Sequence, residues 1–99
     1  MNFTETEKAV TNWAQDRLII EQSSVDKQLI KLLEEYAELV YAVESKSKEE
    51  IIDAIGDMVV VLTIISRMNN TTVEHCYESA YNEIKNRKGT IVNGLYVKE

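Results

Sequence analysis

The chain has 99 residues, 44% of them hydrophobic and 28% charged, with a formal net charge of −6. That length allows one domain with a modest core, so residues 1–99 read as a single domain. The acidic balance argues against nucleic acid as a partner, because such binding needs a basic face.

Proline is absent and glycine occurs only at Gly56, Gly89 and Gly94, which suits long helices with few sharp loops. Four helices are predicted from their starts. Thr4 with Glu7 forms a capping box that opens the first, at about residues 5–20, with an apolar side from Trp13, Ala14 and Leu18 to Ile20. Ser24 caps the second, at about 25–45, whose stripe is Val25, Leu29, Leu32, Leu33, Tyr36, Ala37, Val40 and Tyr41. After a polar turn, Ser47 with Glu50 opens the third, at about 48–68. Thr71 with Glu74 opens the fourth, at about 72–87, and Gly89 stands as its C-terminal stop. Two β-prone stretches then flank Asn93-Gly94, a strong two-residue hairpin signal. An isolated hairpin is marginal, so it must pack on the bundle or on another subunit.

The sequence is therefore expected to be all-α, a four-helix bundle with a short C-terminal β-hairpin. Its third helix is apolar on more than one face, which calls for a partner subunit. Cys76 is the single cysteine, so no intrachain disulfide can form, and a reducing compartment fits. We expect an ordinary half-buried thiol there. The start MNFTETEK has no basic region followed by an apolar stretch, so no signal peptide is expected. The longest apolar run holds two acids and falls short of the roughly 20 residues of a membrane span. A soluble, cytoplasmic protein without membrane association is the expectation.

The third helix carries the main anomaly. Asp53 and Asp57 interrupt the run IIDAIGDMVVVLTIIS, and burying carboxylates is unfavourable unless something positive compensates them. Glu34, Glu35 and Glu38 share one side of the second helix, with Lys31 a turn earlier, and Glu50, Asp53 and Asp57 share a side of the third. Helices joined by a short turn pack antiparallel, which brings the two acidic faces to the same height. Such a cluster repels itself. A divalent Mg²⁺ or Mn²⁺ reverses that, takes oxygen ligands, and leaves positions for water and substrate phosphates. Taken alone, EExxE is more often a solvated helix face, and Glu50 is more simply a capping residue. Gly56, unfavourable inside a helix, suggests close approach by another helix or a ligand.

The segments KLLEEYAELVYAV, DAIGDMVVVLTIIS and YNEIKNRKG together resemble the MazG-like all-α nucleoside triphosphate pyrophosphohydrolases, over about Trp13 to Val97. The resemblance implies hydrolysis of a (d)NTP to the monophosphate and pyrophosphate. It implies Mg²⁺ held by Glu35, Glu38 and Asp57, with Glu34 as a further ligand or the base that activates water. It also implies a homo-dimer or a dimer-of-dimers tetramer with helices shared across active sites. Asn82, Lys85 and Arg87 become phosphate or sugar contacts, although a basic helix C-terminus complementing the macrodipole is the simpler explanation. Gln28 and Lys31, within two turns ahead of the cluster, are candidates for reaching substrate. Trp13 is a candidate for stacking on the base, though a lone tryptophan on an amphipathic helix is more often core. His75 reads as an exposed first-turn residue.

One departure concerns the family's second motif, ExxD. Aligning on Gly56-Asp57 puts Ala54 where the Glu belongs, and Asp53 substitutes as a metal ligand. In the other register, Glu50 and Asp53 are the literal pair and Asp57 is accessory. The first is preferred because Met58-Val59-Val60-Val61 follows Asp57 directly. Two competing readings remain. A di-iron bundle needs Glu-x-x-His pairs, which a chain with one histidine lacks. A non-catalytic nucleotide-binding module of the same fold is kept open by Ala54.

Overall fold

The computed structural model describes residues 1–99. Five helices precede a two-stranded hairpin: α1 (Phe3–Asp16), α2 (Ile19–Gln22), α3 (Val25–Ser45), α4 (Lys48–Met68), α5 (Val73–Ile84), β1 (Gly89–Val92) and β2 (Leu95–Lys98). No helix is long and apolar enough to cross a membrane.

The helix starts differ in detail from the capping boxes. Asn2, not Thr4, caps α1, its side-chain oxygen accepting from the Glu5 amide at 2.8 Å. Ser24 accepts from the Lys27 amide at 3.2 Å and Ser47 from the Glu50 amide at 3.3 Å. The α5 cap is Thr72 rather than Thr71, accepting from the His75 amide at 3.1 Å. Glu7 and Thr4 serve that same helix end. The buried Glu7 carboxylate accepts from the Val73 amide and, at 3.1 Å, from the Glu74 amide, while the Thr4 hydroxyl donates to the Glu74 carboxylate at 2.8 Å. A carboxylate at a helix N-terminus satisfies amides left without partners, so this cap ties α5 to α1.

The predicted first helix breaks at Leu18, which adopts a left-handed conformation (φ 61°) and splits off α2 as a separate turn. A branched residue there is strained by roughly 1–2 kcal/mol. The break lets α2 fold back against α4. The fourth predicted helix ends at Ile84, short of Gly89. Gly89 instead opens β1, where an added Cβ would collide with the Val97 carbonyl oxygen and the Tyr96 ring. Asn93 (φ 52°) and Gly94 (φ 81°) form the two-residue turn, with Val92 paired to Leu95.

The central unit is the antiparallel pair α3–α4, with α1 and α2 packed on α4. On α3 the inward seam is Val25, Gln28, Leu32, Glu35, Leu39 and Ala42, all buried or half-buried at alternating spacings of three and four. The stripe read from sequence does not form the core as a whole. Leu29, Leu33, Tyr36, Val40 and Tyr41 are exposed, because that seam includes Gln28 and Glu35 and turns these side chains outward. Only ten of the 99 residues are buried, and the apolar ones are Ala14, Ala42, Ala54, Val61 and Ile64. Small residues bring the helix backbones close but remove little apolar area from water.

Candidate metal centre

Glu35 and Glu38 project from the middle of α3, and Asp57 from the facing stretch of α4. One carboxylate oxygen from each lies within 4.8 Å of the others. Helix phase selects Asp57 over Asp53. Asp57 comes three residues after buried Ala54 and four before buried Val61, so it looks toward α3, whereas Asp53 is exposed. Neither Asp53 nor Glu50 joins the triad. Both line a separate hollow of about 380 Å³ beside Glu38 and Tyr41. The two aspartates of α4 are thus not buried together inside apolar sequence. One is half-buried and the other faces outward. Gly56 is exposed, with open space around the position a Cβ would take, so no close approach explains it.

Glu35 is 6% exposed. Its Oε1 pairs with Lys31 Nζ at 3.2 Å, while its Oε2 is buried with no hydrogen-bond partner. A buried carboxylate oxygen left unpaired is costly. Glu35 also offers one oxygen to the point where two further carboxylates converge, so the donor set fits a hard divalent cation. Glu34 lies on the exposed side, 3.5 Å from Lys31.

The titration behaviour follows from this crowding. The Glu38 carboxyl is raised above its ordinary value, chiefly by the negative charge of Glu35. Asp57 is raised by its partial burial first and by Asp53 and Glu35 next. Lys31 is raised by its contact with Glu35. In the absence of a cation Glu38 and Asp57 hold protons more tightly than isolated carboxylates do.

Beside the triad lies a cleft of about 790 Å³ bounded by α1, α2, α3 and α4. Glu34, Glu35 and Asp57 form its acidic end, and Trp13, Gln28 and Lys31 line it too. Gln28 is held by the Ser23 hydroxyl at 3.0 Å. Trp13 is not core: it is 43% exposed, with the Arg17 guanidinium 4.7 Å above its ring. Sequence reasoning passed over Arg17 and Lys27, which also line this cleft. The signal for Arg17 was available, since it stands four residues after Trp13 on one helix face.

Asn82, Lys85 and Arg87 stand elsewhere. The helix α5 packs on α1 and α4 and does not touch α3. Asn82 lines a hollow of about 520 Å³ on α5 itself, with Tyr77 and Tyr81, and Lys85 donates to Asn82 at 3.4 Å. Within one chain these donors do not meet the acidic cluster. His75 is exposed, and Cys76 is exposed rather than half-buried because it lies on the uncovered side of α5.

The all-α fold, with clustered carboxylates from two antiparallel helices beside an open cleft, is consistent with the MazG-like class. The profile of the phosphoribosyl-ATP pyrophosphohydrolase family matches residues 4–86. The chain belongs to that family, within the MazG-like all-α nucleoside triphosphate pyrophosphohydrolase superfamily. It is 41% identical over 63 residues to an uncharacterized 18.2 kDa protein in the rep-hol intergenic region of Haemophilus phage HP1 (strain HP1c1). The match covers 64% of this chain but 39% of that relative, so the shared stretch spans about two-fifths of its length. No solved structure matches significantly.

Proposed function

We propose that the chain is a divalent-metal-dependent nucleoside triphosphate pyrophosphohydrolase that converts a (d)NTP and water to the monophosphate and pyrophosphate. The observation that carries this reading is the convergence of Glu35, Glu38 and Asp57 on one point, with a buried, unpartnered Glu35 oxygen, at the edge of a cleft large enough for a nucleotide. Family membership supports the same reaction class.

In this reading Glu35, Glu38 and Asp57 hold Mg²⁺, with Mn²⁺ able to substitute and Asp53 placed to contribute through its charge. A divalent cation held there would offset the charge of the triphosphate and polarise its phosphoryl oxygens. Glu34, exposed beside the triad, takes a proton from water as the water oxygen bonds to the α-phosphorus. The bond from that phosphorus to the α,β-bridging oxygen breaks, and pyrophosphate leaves with the electron pair. Lys31, paired with Glu34 and Glu35, would be the nearby cation able to contact phosphate.

The working unit in this proposal is a homo-oligomer, a dimer or a dimer of dimers. Support comes from large apolar side chains left in water on α3, including Leu33 and Tyr41 at 68% exposure each, and on α5, including Tyr77 at 72%. It also comes from the hairpin, which touches no helix of its own chain. A second copy is then the source of Asn82, Lys85 and Arg87 for each acidic cluster. Sedimentation is expected to give a multiple of the 11.4 kDa chain mass, and Leu33→Asp with Tyr41→Asp to lower it.

The deciding experiment is a panel of (d)NTPs and phosphoribosyl-ATP, with Mg²⁺ and then with chelator, monitored for pyrophosphate and for the identity of the monophosphate. Mg²⁺-dependent pyrophosphate release is the expected result. Nucleotides that raise Tm without being turned over would instead establish a binding module.

A further inference from the structure

Arg17 has no part in the proposed hydrolysis, yet it lines the cleft beside Trp13. It lies in the loop after α1, and its Nη1 donates to the Trp13 carbonyl oxygen at 3.2 Å. That bond tethers a flat, delocalised cation over the Trp13 ring, 4.7 Å from its centroid. A guanidinium stacks on an indole face through the ring quadrupole, and it stacks on a nucleobase for the same reason. Trp13 lines both the 790 Å³ cleft and a hollow of about 430 Å³, and Asp57 and Val60 border both as well. A ligand whose phosphates reach the acidic triad therefore has its other end within reach of this aromatic wall.

We propose that Arg17 and Trp13 together form the nucleobase platform: a planar heterocycle stacks on the indole face, and the guanidinium moves from that face to the outer side or edge of the bound ring. This deepens the hydrolase reading and rests on it, because the triphosphate anchors the other end. It makes Arg17 a substrate-binding residue and sets the specificity at the flat face of the base. A stacking site tolerates several bases and rejects a polyphosphate that has none.

Trp13 is the single tryptophan of the chain, so its fluorescence reports this site alone. Wild-type protein is titrated in Ca²⁺ with dATP, dCTP, dGTP and dTTP, and separately with inorganic tripolyphosphate. Saturable quenching by nucleotides but not by tripolyphosphate supports the platform. Equal quenching by tripolyphosphate overturns it, because Arg17 would then serve phosphate. Unchanged emission with a nucleotide that the protein hydrolyses in Mg²⁺ also overturns it, while leaving the hydrolase intact. A protein that neither binds nor hydrolyses any nucleotide fails at the earlier step and removes the platform with it. Steady-state kinetics add a second reading. Arg17→Ala is expected to raise KM about tenfold with kcat little changed, and Arg17→Lys, which keeps charge but loses the plane, to recover only a fraction. Full recovery by the lysine variant, or a fall in kcat alone, would overturn stacking.

Discussion

The α3–α4 pair and the α5–hairpin arm are built on opposite plans. The pair joins two 21-residue helices along a continuous seam and spends two seam-facing positions, Glu35 and Asp57, on carboxylates. The arm is a 12-residue helix with no buried residue, followed by two four-residue strands that pack on nothing but each other. The pair carries clustered negative charge at its centre, where Lys31 pairs with Glu34 and Glu35. The arm carries Lys85, Arg87 and Lys88 in the connection between its helix and its hairpin. The difference teaches that the chain gathers its acidic cluster on a packed helix pair and carries Lys85, Arg87 and Lys88 on an extension anchored mainly through the Glu7 cap. Opposite charges separated in this way invite completion by another copy.

The strongest way to break the comparison is to remove an acid from the packed pair. Glu38→Ala or Asp57→Ala is expected to lower pyrophosphate release by at least roughly 100-fold, as loss of a transition-state contact does, with the helical circular dichroism retained. Loss of the helical signal would make these acids structural. In the metal-free protein Glu38→Ala is expected to raise Tm, because it relieves repulsion by Glu35.

Complementation tests the arm. Arg87→Ala alone is expected to depress activity. If each site draws on two chains, mixing Arg87→Ala with Glu38→Ala subunits restores about a quarter of wild-type turnover, since half the dimers are mixed and each regains one intact site. No recovery after verified subunit exchange would place both residues in one chain's function.

A pH titration sharpens the contrast further. The Asp57 and Glu38 carboxyls titrate above their ordinary values in the fold. The native state therefore binds more protons than the unfolded chain from the ordinary carboxylate range up to those raised values. Stability of the metal-free protein accordingly falls as pH rises through that window. Mg²⁺, which needs the ionised carboxylates, is expected to reverse the slope and to bind more weakly on acidification. Tm measured against pH in chelator and in Mg²⁺ checks both signs. Parallel curves would mean that the cation binds elsewhere.

The smallest effect on the bundle is expected from Gly89→Ala. The added methyl meets the Val97 carbonyl and the Tyr96 ring, so hairpin cross-strand signals should vanish from the NMR spectrum. The helical melting transition of the dissociated chain should barely move. A large shift there would show that the hairpin supports the bundle.

Much of this was legible in residues alone. The ranges of α3 and α4, the caps Ser24 and Ser47 and the Asn93-Gly94 turn all follow from local geometry: side-chain caps, period and positive φ involve neighbours within a few positions. Bringing the acidic faces of α3 and α4 to one height also needed only helical spacing and an antiparallel turn. The inward set on α3 was harder, because two of its members are polar, and apolar counting favoured Leu29, Leu33 and Tyr36 instead.

Other features depend on residues distant in sequence. Glu7 reads as a partner for Thr4, yet it caps a helix 66 positions away. Leu18 carries no breaker chemistry, and only the packing of α2 on α4 accounts for its left-handed turn. Asp53 and Asp57 look equivalent in the chain, but rotation of α4 against α3 turns one into the cluster and the other into solvent. Sequence by itself determined which segments become helices and that acids from two of them could meet, since both depend on short-range periodicity. Tertiary structure alone decided which acids meet, where Trp13 and Arg17 open a cleft, and how far the basic arm stands from it, because helix phase and docking are set by contacts that no local window contains.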